Sequence, residues 1–69
     1  MDYVAAWCAA EEAATEVNEA AAALGIDSHL VGAIPHTGIN GESVVWIRPE
    51  GARKMAQVLG ALAEERRAS

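Results

Sequence analysis

The sequence predicts a small α+β domain in which two helices flank a β-hairpin, in the order α-β-β-α. An Ala- and Glu-rich segment with helical periodicity opens the chain, two short apolar segments follow, and a Pro-led helical segment closes it. With 69 residues, the chain is expected to form one domain, spanning residues 1–69. Because two strands alone are barely stable, we expect homodimerisation to complete the sheet.

The long N-terminal helix is predicted from Asp2 to Leu24, because Ala and Glu are strong helix formers. Asp2 suits the N-cap, and Gly25 suits the C′ position that ends a helix. Apolar residues recur at spacings of four and three over three repeats, which is a heptad pattern. These residues, here called the α1 seam, are Tyr3, Trp7, Ala10, Ala14, Val17, Ala21 and Leu24.

The central β-hairpin is predicted to pair a strand at His29–Pro35 with a strand at Ser43–Arg48. Asn40-Gly41 lies between them and favours a two-residue type I′ turn, in which both central residues have positive φ. That turn would place Pro35 opposite Trp46. A wider loop beginning at Gly38 is the alternative.

The C-terminal helix is predicted from Pro49 to about Arg67. Proline suits the first turn of a helix, since its φ is fixed and it lacks an N–H group. Gly60 lies in the interior, where glycine costs about 1 kcal/mol relative to alanine. Close contact with another backbone would explain it, and so would local fraying. The apolar positions of this helix are Ala52, Met55, Leu59 and Leu62.

The predicted hairpin is apolar on both faces. Leu30, Ile34, Val45 and Ile47 form one face, which suits packing under both helices. The second face would then be exposed in a monomer, so we expect a symmetric homodimer that covers it. The alternative is a monomer with one helix on each face. The predicted dimer interface consists of Val31, Ala33, Val44, Trp46 and, from the first helix, Trp7.

The side chains that carry chemistry are few. Cys8 is the single cysteine, which excludes an intrachain disulfide and a zinc site built from several cysteines. His29 and His36 have no third ligand at a suitable spacing. We therefore expect no catalytic residue, no metal site and no cofactor. An unrecognised enzyme or metal site would have to use His36 and Cys8.

Acidic and basic residues are concentrated in different parts of the chain. Residues 1–34 hold six acids and no base, whereas residues 48–69 have a net charge of +2. Glu12, Glu16 and Glu19, together with His36, are the predicted contacts with a partner protein. The chain is therefore expected to be a non-enzymatic, self-associating protein that acts through protein–protein interaction. A phage or mobile-element accessory factor from a high-GC genome fits its size and composition.

A small nucleic-acid-binding regulator is the alternative function. A dimer would present Arg48, Arg53 and Lys54 to the nucleic acid. Because acidic residues interrupt the basic ones along the chain, binding to nucleic acid is not the expected function. The sequence shows no apolar segment long enough to cross a membrane and no basic region before its first apolar run. A cytoplasmic location is expected.

Overall fold

A computed structural model describes residues 3–68 of the chain. Its elements are α1 (Tyr3–Ala23), β1 (Ile34–Thr37), β2 (Ser43–Trp46) and α2 (Pro49–Ala68). The two strands form one antiparallel sheet. The predicted α+β class and the α-β-β-α order are confirmed. Asp2, the predicted N-cap of the first helix, lies outside the described residues.

The end of α1 follows the predicted pattern. Gly25 has a φ of 74°, and its N–H donates to the Ala22 carbonyl at 3.0 Å. The Ile26 N–H reaches back to the Ala21 carbonyl at 2.9 Å. This pair of bonds is the Schellman motif, which satisfies carbonyls that the helix itself leaves without partners. The prediction that Gly25 occupies C′ is confirmed.

The connector after α1 folds as a turn, so the prediction that a strand begins at His29 is wrong. The Asp27 carboxylate accepts a hydrogen bond from the His29 N–H at 2.8 Å. The Asp27 carbonyl accepts from the Leu30 and Val31 N–H groups at 2.9 and 3.2 Å. An aspartate that binds the following backbone in this way competes with strand pairing. β1 therefore begins only at Ile34.

The hairpin uses the wider loop. The Gly38 N–H donates to the Glu42 carbonyl at 2.8 Å, and the Gly41 N–H donates to the Gly38 carbonyl at 3.0 Å. Gly41 has a φ of 78°, and no non-glycine residue between 3 and 68 has a positive φ. A type I turn followed by one left-handed glycine fits this geometry. The type I′ prediction at Asn40-Gly41 is wrong, and the alternative loop from Gly38 is confirmed.

The wider loop shifts the strand register by one residue. Trp46 pairs with Ile34 instead of Pro35, and Val45 pairs with Pro35. The Ser43 hydroxyl donates to the Ala6 carbonyl at 2.8 Å, which places Ser43 on the α1 side of the sheet. Because side chains alternate along a strand, Val45 shares that side, and Ile34 and Trp46 share the other. The prediction that Ile34 packs under the helices is wrong.

The core is small and lies between α1, the sheet and the connector. Val31 is its one large, fully buried side chain among the described residues. α1 is 21 residues long, or about 31 Å, whereas each strand has four residues and spans about 14 Å. The seam therefore packs at its alanines, while Trp7 and Leu24 near its ends remain exposed. The buried apolar residues are Ala10, Ala14, Ala21, Val31 and Ala33.

α2 begins at Pro49, as predicted, and its first turn is anchored to the connector through the buried Gly51. A Cβ atom at Gly51 would overlap the Leu30 carbonyl oxygen and lie 3.1 Å from the Val31 Cα. Beyond that turn, the backbone of α2 stays apart from the other elements: within residues 3–68, none of its Cα atoms lies within 8 Å of a Cα atom of α1, β1 or β2. The expectation that both helices cover one sheet face is wrong, because only α1 packs there.

Candidate interaction surfaces

The chain exposes more surface than a compact protein of its size. Its accessible surface is 5221 Å², against roughly 4,100 Å² expected for a folded monomer of this mass. Its radius of gyration is 14.1 Å, against about 11 Å expected for a compact domain of this length. The excess of roughly 1,100 Å² comes with large apolar side chains left in water. Most of them belong to two separate surfaces.

The first surface is an apolar cleft between the C-terminal half of α1 and the middle of α2, called here the helix cleft. Its volume is about 250 Å³, and all its lining residues are apolar. Leu59 and Leu62 of α2 are 62% and 55% exposed, and Leu24 at the end of α1 is 64% exposed. The lining residues are Val17, Ala20, Ala21, Leu24, Ile26, Met55, Val58, Leu59 and Leu62.

The second surface is the side of the sheet that α1 does not cover, called here the sheet face. It consists of Ile34, His36, Val44 and Trp46. Ile34 is 57% exposed and Trp46 is 61% exposed. The rings of His36 and Trp46 meet edge to face, with centroids 5.3 Å apart and an interplanar angle of 76°. This contact holds the indole in place on the exposed face.

The structure separates the five residues predicted to form the dimer interface. Val44 and Trp46 lie on the sheet face, and Trp46 is exposed there. Val31 and Ala33 are buried inside the chain, so the prediction that they line an exposed face is wrong. The connector before Ile34 folds as a turn instead of extending β1, and this turn places Val31 and Ala33 in the core. Trp7 belongs to α1, on the opposite side of the sheet, where its Nε1 donates to the Glu11 carboxylate at 3.2 Å.

Asn18 positions the segment that leads into β1, and sequence analysis missed it. Its Nδ2 donates to the Ala33 carbonyl at 3.0 Å, and its Oδ1 accepts from the Ala33 N–H at 2.9 Å. One side chain thus satisfies both main-chain polar groups of a buried residue. The available signal was the single amide side chain in a helix built mostly from alanine, glutamate and apolar residues.

The predicted partner-binding residues do not form one site. Glu12, Glu16 and Glu19 are exposed on the side of α1 that faces away from the sheet. His36 lies on the sheet face, so α1 and the sheet both separate it from these carboxylates. Between Tyr3 and Ala23, α1 carries four acids and no base.

The predicted nucleic-acid residues lie at the start of α2. Arg48 precedes the helix and donates through Nη1 to the His29 carbonyl at 3.2 Å, so it contributes to holding the connector. Arg53 is exposed and Lys54 is half-buried. Glu50 lies in the same turn of the helix and reduces the positive charge of this end.

Cys8 and His36, the groups proposed for an enzyme or metal site, lie on opposite sides of the sheet: Cys8 is an exposed thiol on α1, and His36 packs against Trp46. Within residues 3–68, no three His, Cys, Asp or Glu side chains are grouped to hold a metal ion. No helix in this range is long and apolar enough to span a membrane.

Comparisons with protein-family models, curated proteins and solved structures found no significant match.

Proposed function

We propose that the protein is a non-enzymatic, self-associating protein that acts as an accessory or regulatory factor by binding other proteins. The observation that supports this function is the apolar surface that a single chain leaves exposed. Five apolar residues of the described chain are buried, and four of them are alanine. So small a core stabilises a folded monomer weakly, and chains of this size commonly gain stability from a partner subunit.

The amount of exposed surface fits a protein interface. A standard interface buries about 800 Å² on each partner, and this chain exposes roughly 1,100 Å² more than a compact monomer would. Contiguous apolar patches on a small protein mark interaction surfaces. The sheet face adds Trp46, and tryptophan is enriched among the residues that dominate binding energy.

The two surfaces suggest two contacts. The helix cleft and the sheet face belong to different parts of the molecule, because α2 does not approach the sheet. A dimer that covers one surface leaves the other open. We propose that the open surface is where the dimer binds a different protein.

Sedimentation velocity, combined with thermal unfolding at several protein concentrations, tests the self-association. We expect a species of twice the chain mass at high micromolar concentration and a Tm that rises with concentration, since association stabilises the folded state by mass action. A monomer-sized species at every concentration, with a constant Tm, would refute the proposal.

A further inference from the structure

We infer that the helix cleft is the self-association surface, and that the α2 helix of a second copy of the chain fills it. By two-fold symmetry, the α2 helix of the first copy fills the cleft of the second. This inference rests on the proposed self-association and names its contact. It places the dimer at the helices and leaves the sheet face open.

The helices α1 and α2 line one cleft, but their backbones do not approach each other closely. No Cα atom of α2 lies within 8 Å of a Cα atom of α1 among the described residues, although nine apolar side chains from α1, its end and α2 surround the cleft. Helices in direct contact have axes about 8–10 Å apart. The α2 residues Met55 and Val58 are half-buried at this cleft, whereas Leu59 and Leu62 remain more than half exposed.

The apolar side of α2 has the residue pattern of a helix that fits such a cleft. Met55, Val58, Leu59 and Leu62 have the spacing i, i+3, i+4, i+7, which is how an amphipathic helix binds an apolar groove. The same residues form one wall of the cleft, so each chain carries both a groove and a helix suited to fill it. Reciprocal insertion brings the two α2 helices together antiparallel and gives a closed, isologous contact.

The charges of the two helices favour α2 over α1 as the occupant of the cleft. α1 carries four acids and no base, so a pair of α1 helices would have no opposite charges to attract each other. α2 carries four bases and three acids. In an antiparallel pair, the turn with Arg66 and Arg67 lies near the first turn of the other helix, where Glu50 is located. These opposite charges and the antiparallel helix dipoles attract each other.

Substitutions in the full chain test the contact. The double variant Leu59→Asp/Leu62→Asp places two carboxylates in the cleft. Gln57→Asp is the matched control, because it adds a carboxylate to the opposite side of the same helix. Ile34→Asp perturbs the sheet face. We expect the dimer dissociation constant to rise about 30-fold or more in the double variant, and to change less than about twofold in the two other variants.

A second measurement keeps the test decisive if the double variant loses helicity by circular dichroism. A photo-crosslinking amino acid at position 62 should join two chains, with the crosslinks mapping to residues 17–26 or 55–62. Crosslinks confined to residues 34–46, or a dimer that only Ile34→Asp dissociates, would overturn the inference while leaving self-association intact. A wild-type chain that is monomeric at every concentration would refute both proposals.

Discussion

Two glycines of α2 should respond in opposite directions to the same substitution, Gly→Ala. Gly51 lies in the first turn and is buried against the connector, whereas Gly60 lies in the interior of the helix and is exposed. Alanine favours the helical backbone over glycine by about 0.8–1.0 kcal/mol in a helix interior. The space around each Cβ position decides whether that gain is realised.

At Gly60, a Cβ atom would meet no atom within 4 Å apart from the surrounding backbone of its own helix. Gly60→Ala should therefore raise the free energy of unfolding by about 0.5–1 kcal/mol. At Gly51, the new Cβ atom would overlap the Leu30 carbonyl oxygen and crowd the Leu30 carbonyl carbon at 3.1 Å. These are backbone atoms and cannot move away by changing a rotamer. Overpacking of this kind costs about 1–3 kcal/mol, so Gly51→Ala should be destabilising overall.

Urea unfolding followed by circular dichroism measures both effects, with all variants at one concentration because association contributes to stability. For a small protein, a change of 1 kcal/mol moves the midpoint by up to about 1 M urea. Equal stabilisation by the two substitutions would show that Gly51 does not dock on Leu30 and Val31. Destabilisation by Gly60→Ala would instead show that another backbone closely approaches Gly60, which was one sequence-based explanation for this glycine.

Three further substitutions test local contacts by the same unfolding assay. Asn18→Ala should lower the free energy of unfolding by about 1–3 kcal/mol, because the Ala33 carbonyl loses its hydrogen-bond donor. Thr15→Ala, on the exposed side of α1, is the control, and equal effects of the two substitutions would contradict the role of Asn18. Gly25→Ala should cost about 1 kcal/mol, because its φ of 74° disfavours a Cβ atom; an unchanged midpoint would contradict the Schellman geometry. Ser43→Ala should cost about 0.5–1.5 kcal/mol through the lost bond to α1, and no loss would show that this bond does not contribute.

The helices could be predicted because their signals are local. Periodicity and residue type placed α1, and Gly25 and Pro49 marked the end of one helix and the start of the other through conformational limits of their own backbones. The order of elements follows from the same signals. Tertiary contacts were not needed for these predictions, and the structure confirms them.

The strands and their faces could not be predicted in the same way. Asp27 binds the backbone of the next residues, which converts the expected start of the first strand into a turn. One additional loop residue then moves Trp46 from Pro35 to Ile34, and the side-chain period of two carries Ile34 to the uncovered face. A small difference in turn geometry thus decides which surface is exposed.

The sequence by itself determined the class of fold, the end of α1, the start of α2 and the shortage of large apolar residues for a core. Only the tertiary structure decided which apolar surfaces of the molecule remain exposed because of that shortage. The first turn of α2 is docked through Gly51, and the rest of its backbone stays more than 8 Å from that of α1, so the helix cleft opens between the two helices. The physical reason is that helix propensity and capping depend on residues close together along the chain, whereas the position of a helix depends on contacts between residues that are distant in sequence. Here the close approach of Gly51 to Leu30 and Val31, together with the hydrogen bond from Arg48 to the His29 carbonyl, docks the first turn of the helix on the connector.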